Sequence, residues 1–467
     1  KKLLALVWGE NMSDTIFQRW SQGFEWSPDE KCALVQHAGG PCAVIAPMQG
    51  FLLKNILFKI DGNENLPSLT NQDAQRTDFF VDALCEVLTQ FETERWVICK
   101  QSLHGKATKN QGDWFKSKII PEQELLRNEE SSSRTEILED VENLSLCLFH
   151  RSPFLLVYQH ITHELYFKPE YILLLILTHC TSKEMLKSNI KENISEFYSS
   201  FGVVKLLYSI ILSKGINNVL NEMDNPEMSL VDPIHGHGSQ NLINLMICGQ
   251  AVSNVFDGDR DVAGLKLRGI TNQVKIGFLT LLEQLRYLKV GNLLKRPVFP
   301  IWLVGSETHL SLVYSLDTTL VAEDTALQKA HKVFDKFDPE DNGFIPCDLL
   351  KDMMEELELV CDPEYVKLMI GNLDPEELGV VIRTKFFQEF YNNETEAKPL
   401  NFNLLHYNGL TQSSSDGKVR FRRGTARQID WQEGCTKSHD SQIESCLHTR
   451  WPGLWISWDD GKAPSLN

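Results

Sequence analysis

The sequence lacks three features that would assign it to a secreted, membrane-spanning or zinc-ribbon class. Its eleven cysteines are scattered singly and form no Cys-x-x-Cys pair, which argues against a disulfide framework and a zinc ribbon. No apolar run reaches the about 18 residues that a membrane span needs. No basic segment followed by an apolar run, the pattern of a secretory signal, opens the chain. We therefore expect a protein of a reducing compartment, the nucleus or the cytoplasm, with no membrane contact.

Basic residues are also fewer than acidic residues. Lys and Arg number 46 against 63 Asp and Glu, which gives a net charge of −17. Because phosphate contacts need clustered Lys and Arg, this balance argues against nucleic acid as the main ligand and is compatible with a basic protein substrate. The chain has 467 residues, 42% of them hydrophobic. Since single cores rarely grow beyond about 250 to 300 residues, two domains are expected.

The most informative segment is QHAGGPCAVIAP at residues 36–47. Its glycine pair allows a tight turn, Pro41 suits the first position of a helix, and the apolar residues that follow recur at helical spacing. Cys42 is therefore predicted in the first helical turn, where free backbone N–H groups and the helix dipole favour a thiolate over a thiol. Pro47 falls inside this helix and predicts a kink or a late helix start.

Two interpretations of Cys42 stand at this point. In the first, Cys42 is a nucleophile, and the side-chain amide of Gln36 and the helix N–H groups are the two donors to a tetrahedral oxyanion. In the second, Cys42 is a small buried hydrophobic residue, as free cysteines usually are.

A nucleophilic cysteine needs a base, and residues 299–314 supply a candidate. They are rich in β-branched and aromatic residues and predict two short strands around a polar turn. His309 and Ser311 share one face of the second strand, because side chains alternate along a strand. His309 is therefore the candidate general base, and Ser311 is a candidate for orienting its imidazole.

The other histidine pairs do not predict a metal site. His235 and His237 lack a cysteine or carboxylate partner at ligand spacing, which favours solvated loop histidines over zinc. His160 and His163 do not match the His-Glu-x-x-His order of zinc proteases, so we expect a structural role. No cofactor and no catalytic metal are predicted.

Several further elements follow from periodicity and composition. Ser239 is predicted to cap a buried helix, because it precedes an apolar helical pattern. The sequence predicts helices at residues 78–91 and 240–255, mostly helical structure at 146–220, a solvated polar loop at 122–143, a turn at 257–261, a strand at 400–408 and a closing segment at 451–458.

Residues 326–390 show the outline of an EF-hand pair. Asp338 opens one loop and Asp374 opens a second loop 36 residues later, each with a glycine at the sixth position. Ile345 and Val381, at the eighth positions, are expected to pair as a short β-bridge.

The same loops predict little or no calcium binding. The twelfth position should be a bidentate glutamate, but it is Leu349 in the first loop and Lys385 in the second. We therefore expect degenerate loops and a module that packs or docks partners. The strand pattern resumes after this pair, so the pair is predicted as an insertion, with a catalytic domain at residues 1–322 and 394–467 and the EF-hand-like pair at 323–393.

Four motifs, taken in order, resemble the MINDY deubiquitinases. They are Gln36 with GGPCAVIAP at 39–47, HGHGSQNLINL at 235–245, NVFDGD at 254–259 and GSETHL at 305–310. The resemblance runs over nearly the whole chain, and it is strongest to the member of the family that carries an EF-hand insertion.

The resemblance implies a fold and an activity. It implies an α+β fold, a papain-like cysteine peptidase domain with an inserted α-helical EF-hand-like pair. It also implies a thiol protease that hydrolyses isopeptide bonds in polyubiquitin, with a preference for lysine-48-linked and longer chains. Carried over by motif, Cys42 is the nucleophile, His309 the general base and Gln36 the oxyanion donor. Two alternatives remain. One is a non-catalytic adaptor that binds proteins through the same domain and the EF-hand-like pair, and the other is a cysteine transferase or a peptidase for another ubiquitin-like modifier, in which Cys42 is reactive but ubiquitin chains are not cleaved.

Overall fold

The protein is a mixed helix and sheet structure, as the α+β prediction requires. The computed structural model describes residues 2–9, 12–58, 73–101, 154–157, 175–262, 264–322, 326–338, 342–391, 401–428 and 441–467. The chain divides into two compact units: one comprises Lys1–Val321 with Asn401–Asn467, and the other comprises Ala322–Leu400. The predicted loop at 122–143 and the pair His160 and His163 lie outside the described residues.

The helices of the larger unit are Lys2–Trp8, Asp14–Trp20, Cys42–Leu57, Asp73–Leu88, Lys183–Glu192, Ile194–Tyr198, Gly202–Lys214, Ile216–Glu222, Gln240–Cys248, Leu281–Gln284, Asn292–Lys295 and Gln442–His448. Those of the smaller unit are Ala326–Phe337, Leu350–Glu356, Pro363–Leu373 and Arg383–Tyr391. Short 3₁₀ helices lie at Thr318–Val321, Cys347–Leu349 and Thr411–Ser413.

The strands, numbered along the chain, are β1 (Glu25–Trp26), β2 (Leu34–Val35), β3 (Trp96–Gln101), β4 (Phe154–Val157), β5 (Leu175–Cys180), β6 (Arg260–Val262), β7 (Leu265–Leu267), β8 (Gly277–Thr280), β9 (Ile301–Gly305), β10 (Leu310–Tyr314), β11 (Phe344–Pro346), β12 (Val380–Ile382), β13 (Asn401–Tyr407), β14 (Arg422–Gln428) and β15 (Leu454–Trp458).

A six-stranded sheet forms the centre of the larger unit. Its order is β15-β14-β13-β10-β9-β8, and all neighbours are antiparallel except β8 and β9. The strands predicted at 299–314 and 400–408 are confirmed. Residues 454–458 of the closing segment form β15, an edge strand of this sheet. Because β13 pairs directly with β10, residues that lie about a hundred positions apart in the sequence become neighbours.

The helix Cys42–Leu57 packs on this sheet. Fourteen of its sixteen residues are buried. A Cβ at Gly50 would lie 2.9 Å from Ile276 and 3.1 Å from Leu312, so the helix backbone approaches the sheet too closely for a larger residue. The helix begins at Cys42 and continues through Pro47, so the expected late start is wrong.

Two helix predictions are corrected. Within residues 146–220, the described part contains β4 and β5, which form a three-stranded sheet with β3 in the order β3-β5-β4. Their apolar runs are short and buried, and such runs do not distinguish a strand from a helix by periodicity. Ser239 caps its helix as predicted, but that helix ends at Cys248 and not at residue 255, because Gly249 adopts a left-handed conformation with φ of 70°.

Among the described residues, no single helix is both long and apolar enough to cross a membrane; one pair, Gly202–Lys214 with Ile216–Glu222, passes the length and composition test jointly but is bent by 86°.

The smaller unit contains two helix-loop-helix segments joined by β11 and β12. Ile345 pairs with Val381 across this short antiparallel ladder, as predicted. The two segments share a core of aromatic and methionine side chains that includes Phe334, Met353 and Phe386.

In the first loop of this unit, protein groups already contact the carboxylate at the first ligand position. The Asp338 carboxylate accepts hydrogen bonds from the backbone N–H groups of Asn342 and Gly343, both at 2.8 Å, and Arg383 Nη2 lies 3.5 Å from its Oδ2. The guanidinium places a positive charge beside the first ligand position. The twelfth position, Leu349, has no oxygen ligand to offer in its side chain.

The second loop repeats this arrangement. Asp374 accepts hydrogen bonds from the backbone N–H groups of Leu378 at 2.9 Å and Gly379 at 2.6 Å. Lys385 stands at the twelfth position and would repel a cation. The two first-position aspartates therefore organise their own loops.

Candidate active site

A cleft of about 220 Å³ lies where the helix Cys42–Leu57 begins. One wall comes from this helix and the neighbouring loop, with Cys42, Ala43, His237 and Gly238. The other wall comes from the sheet and the β9–β10 turn, with Gly305, Ser306, Glu307, Thr308, His309 and Leu310. The cleft thus brings the predicted nucleophile and the predicted base together.

Cys42 is the first residue of its helix and is buried, with 3% of its surface exposed. Its thiol donates to the Gly40 carbonyl at a sulfur–oxygen distance of 3.6 Å. Burial raises the pKa of this thiol, although backbone N–H groups, foremost that of Leu310 and then that of Ala43, act in the opposite direction. Burial therefore acts against the thiolate that the position at the helix start was expected to favour.

The turn before Cys42 requires glycine. Gly40 has a φ of 128°, a conformation that residues with a Cβ rarely adopt. A Cβ there would also lie 2.9 Å from both Gly236 O and Trp20 Nε1. Trp20 Nε1 donates to Gly236 O at 2.9 Å, so this contact joins the nucleophile turn to the loop at Gly236.

Gln36 is buried and its backbone is fixed beside the end of β13. Its N–H donates to Gly409 O at 2.8 Å, and Gln36 forms an isolated β-bridge with Leu410. Its side-chain Nε2 donates to Ala38 O at 2.7 Å. The amide that was predicted as an oxyanion donor therefore folds back onto the turn that leads to Cys42.

His309 directly precedes β10 and has 5% of its surface exposed. Its Nε2 lies 2.9 Å from Asn408 Oδ1, whereas its Nδ1 is buried without a hydrogen-bond partner. Burial lowers the pKa of His309 to about 4; the hydrogen bond to Asn408 raises it, and the nearby His237 lowers it further. The imidazole is therefore neutral near pH 7, and Nδ1 is the nitrogen available for a proton.

The structure corrects the residue expected to orient this imidazole. Ser311 is fully buried, and its hydroxyl donates to Val304 O at 3.4 Å on the neighbouring strand. Asn408, which the sequence analysis missed, contacts the ring instead. Its only signal was a polar side chain at the end of the predicted strand at 400–408, and no local pattern connects it with a histidine 99 positions earlier.

The two loop histidines, His235 and His237, differ in their exposure to solvent. His235 is exposed, in agreement with the prediction of a solvated residue, and its carbonyl accepts a hydrogen bond from Arg19 at 2.6 Å. His237 is half-buried and lines the cleft, and its Nδ1 is buried without a partner. The prediction of a solvated histidine is therefore wrong for His237.

This arrangement suits acyl transfer by a thiol. A neutral imidazole with a free Nδ1 and a fixed Nε2 can accept the thiol proton, and free N–H groups at a helix start can stabilise an oxyanion. Among the described residues, no three His, Cys, Asp or Glu side chains converge as a metal site would require. The geometry alone does not specify the acyl group.

Comparison with known proteins identifies the protein family of this chain. The family model described as "Deubiquitinating enzyme MINDY-3/4, conserved domain" matches residues 5–337. The chain belongs to the MINDY-3/4 family of deubiquitinating enzymes. It is 41% identical to "Ubiquitin carboxyl-terminal hydrolase MINDY-3" of Homo sapiens and of Bos taurus, in each case over 100% of this chain and 99% of the relative. It is 36% identical to the MINDY-3 homolog of Drosophila melanogaster, over 100% of this chain and 83% of the relative. No solved structure matches.

The MINDY-3/4 match covers only part of the site. Residues 5–337 include Gln36, Cys42 and His309 but not Asn408. Asn408 lies in the part of the chain that is shared with the full-length MINDY-3 relatives. The site therefore combines the matched domain with a residue that follows a later strand of the same sheet.

Proposed function

We propose that this protein is a thiol-dependent deubiquitinase that hydrolyses isopeptide bonds at the C-terminus of ubiquitin. The observation that carries the proposal is the cleft that places Cys42, at a helix start, beside His309, whose ring is held by Asn408. The likeness to MINDY-3 hydrolases over the full length of the chain supports ubiquitin as the acyl donor.

In the first half of the reaction, Cys42 Sγ attacks the carbonyl carbon of the isopeptide bond. His309 Nδ1 takes the thiol proton as the carbon–sulfur bond forms, because this nitrogen has no other partner. The oxyanion is stabilised by backbone N–H groups at the start of the helix and by the Gln36 amide. His309 then gives the proton to the leaving lysine nitrogen, the carbon–nitrogen bond breaks, and a thioester to Cys42 remains.

In the second half, water attacks the thioester carbonyl. His309 Nδ1 removes a proton from the water, the carbon–sulfur bond breaks, and the proton returns to Cys42 Sγ. The products are a free ubiquitin carboxylate and the resting thiol. Asn408 stays on Nε2 throughout and leaves Nδ1 as the nitrogen that exchanges the proton.

The resting contacts of two groups must change when substrate binds. The Cys42 thiol donates to Gly40 O, and the Gln36 amide donates to Ala38 O. Both acceptors are backbone carbonyls of the same turn. A substrate carbonyl at the helix start replaces these contacts, and catalytic hydrogen bonds of this kind commonly tighten only in the substrate complex.

The larger unit is proposed as a papain-like peptidase domain; the support for this is a buried helix that begins at Cys42 and a largely antiparallel sheet in which His309 directly precedes a strand. The unit Ala322–Leu400 is proposed as an EF-hand-like pair that docks partners without calcium. The resemblance to MINDY enzymes supports a preference for lysine-48-linked and longer ubiquitin chains, in the nucleus or the cytoplasm.

The test is cleavage of linkage-defined ubiquitin chains of increasing length by the full chain, with Cys42→Ala alongside. We expect lysine-48-linked chains of four or more units to be cleaved faster than dimers, and no cleavage by the variant. Cleavage of another linkage at the same rate would contradict the linkage preference. No cleavage of any chain would favour the adaptor function. A buried Cys42 thiol is consistent with that function as well.

A further inference from the structure

Residues 465–467 contact both elements that hold His309. Ser465 O accepts a hydrogen bond from Asn408 Nδ2 at 3.2 Å, on the side of the ring that Asn408 contacts. Asn467 Oδ1 accepts hydrogen bonds from Ser306 Oγ at 2.6 Å and from Thr308 Oγ1 at 3.2 Å, in the turn that precedes the ring. This short segment therefore supports the histidine from two directions.

The contact to Ser306 matters because Ser306 organises the turn. Its Oγ accepts hydrogen bonds from the backbone N–H groups of His309 at 3.0 Å and of Thr308 at 3.2 Å. An oxygen that accepts from two N–H groups is best satisfied when its own proton points away from them. The proton of this hydroxyl has two acceptors within reach, Asn467 Oδ1 at 2.6 Å and His309 O at 3.2 Å, and the shorter contact with Asn467 favours the orientation toward residue 467.

The segment is itself fixed in place. Leu466 is buried, with 1% of its surface exposed. The Ser465 hydroxyl donates to Asn467 O at 2.7 Å and accepts from Asn467 N at 3.1 Å. These bonds hold the Ser465 carbonyl and the Asn467 side chain in the orientation that meets Asn408 and Ser306.

We propose that Ser465 and Asn467 are positioning residues of this enzyme, which act on His309 through Asn408 and through Ser306. The inference rests on the proposed role of His309 as the base. Asn408 fixes the ring plane, and the turn from Ser306 to His309 fixes the backbone that carries the ring. Displacement of residues 465–467 then lowers turnover without removing any group that touches the substrate.

The experiment measures kcat and KM of Asn467→Ala on a fluorogenic ubiquitin substrate. We expect kcat to fall about five- to tenfold, the factor that corresponds to one lost hydrogen bond, with KM nearly unchanged. Asn467→Asp keeps oxygen acceptors for both hydroxyl groups and is expected to restore kcat. Asn403→Ala is the matched control, because Asn403 Oδ1 accepts from Thr425 Oγ1 at 3.2 Å on the same sheet but away from His309.

A double-mutant cycle tests the route through Ser306. If Asn467 acts by orienting the Ser306 hydroxyl, Ser306→Ala combined with Asn467→Ala lowers kcat no further than Ser306→Ala alone. Independent, multiplying effects of the two substitutions would contradict this route.

Three controls distinguish a failure of the proposed function from a failure of this inference. An inactive wild-type protein that also forms no adduct with a ubiquitin electrophile would contradict the proposed function. An active wild type with Asn467→Ala equal to Asn403→Ala would overturn only the present inference. A loss of kcat that merely follows the folded fraction of Asn467→Ala, measured by circular dichroism at the assay temperature, would also overturn it.

Discussion

The two walls of the cleft are built in opposite ways. The wall of the nucleophile is local: Gln36, Gly40 and Cys42 lie within seven consecutive residues, and a single turn connects them. The wall of the base is assembled from distant parts of the chain, since His309 is held by Asn408. One wall is encoded by a motif, and the other exists only after the sheet has formed.

The walls also differ in how they hold their reactive group. At the nucleophile, backbone carbonyls of the turn accept hydrogen bonds from both the Cys42 thiol and the Gln36 amide. At the base, Nε2 of His309 is held by a side chain, and Nδ1 is left without a partner. The resting site therefore keeps its base ready and its nucleophile engaged elsewhere, so the nucleophile wall must change more when substrate binds.

The largest effect is expected from the thiol itself. Cys42→Ala should lower chain cleavage by about 10⁴-fold or more, because no other group can form the thioester. Cys248→Ala is the matched control: burial also raises the pKa of that thiol, to about 12, but it lies at the end of a helix and outside the cleft. A Cys248→Ala variant that is as inactive as Cys42→Ala would contradict the assignment of the nucleophile.

A smaller but large effect is expected for the oxyanion donor on the same wall. Gln36→Ala should lower kcat by about 10²- to 10³-fold, the usual loss when one such donor is removed. Gln49 serves as the control, because it is a buried glutamine whose side chain bonds only to backbone groups outside the cleft. It accepts a hydrogen bond from Leu34 N at 2.7 Å and donates one to Cys32 O at 2.8 Å. Gln49→Ala should lower the free energy of unfolding by about 1 to 3 kcal/mol and leave kcat of the folded protein nearly unchanged.

The outcome that would contradict this comparison is the reverse pattern, in which Gln36→Ala alters only the denaturation midpoint in urea. Gln36 would then act only as a support for the turn through its bond to Ala38.

On the wall of the base, Asn408 and Ser311 give opposite expectations. Asn408→Ala should lower kcat about tenfold or more, because the ring loses the bond that holds its Nε2. Ser311→Ala should change kcat by less than about twofold, because its hydroxyl contacts Val304 O and not the ring. Steady-state kinetics on the two variants decide which residue orients the His309 imidazole. A larger loss of kcat for Ser311→Ala than for Asn408→Ala would favour Ser311, the residue that the sequence predicts.

The pH dependence follows from the burial of His309. The folded protein holds the pKa of this imidazole at about 4, below its ordinary 6.5, so the acid limb of kcat/KM should fall near pH 4. Between these two values the unfolded chain binds the proton and the folded chain does not, so stability decreases as the pH falls through this window. The measured kcat/KM is therefore corrected for the folded fraction at each pH. An acid limb near pH 6.5 would contradict the interpretation that His309 is a buried, neutral base.

The smallest effect is expected in the unit Ala322–Leu400. Calcium at millimolar concentration should leave both the melting temperature and the cleavage rate unchanged, because Leu349 and Lys385 occupy the twelfth positions of the loops. Calorimetric heat of calcium binding that disappears in Asp338→Ala would contradict the interpretation of degenerate loops.

Local physics was sufficient for much of the fold and for one wall of the site. The glycine turn, the helix start at Cys42, the strands around His309 and the bridge between Ile345 and Val381 all depend on residues close in sequence or on a repeated spacing. The helix predictions failed at β4 and β5, because short buried apolar runs have no distinguishing period.

The rest required the tertiary structure. Asn408 reaches His309 only because β13 pairs with β10, and no sequence spacing encodes that register. The charge state of Cys42 was predicted from its helix position alone, but burial, which depends on both walls, decides the direction of its pKa shift. The sequence therefore indicated two residues, Cys42 and His309, that line one cleft in the structure, but it did not indicate the groups that surround them.

The most direct test of the account is reaction of the full chain with a ubiquitin that carries an electrophile at its C-terminus, followed by peptide mapping of the adduct. We expect a single adduct, on Cys42 among the eleven cysteines, which forms much more slowly in Asn408→Ala and at an unchanged rate in Ser311→Ala. An adduct on another cysteine, or none at all while linkage-defined chains are still cleaved, would contradict Cys42 as the nucleophile.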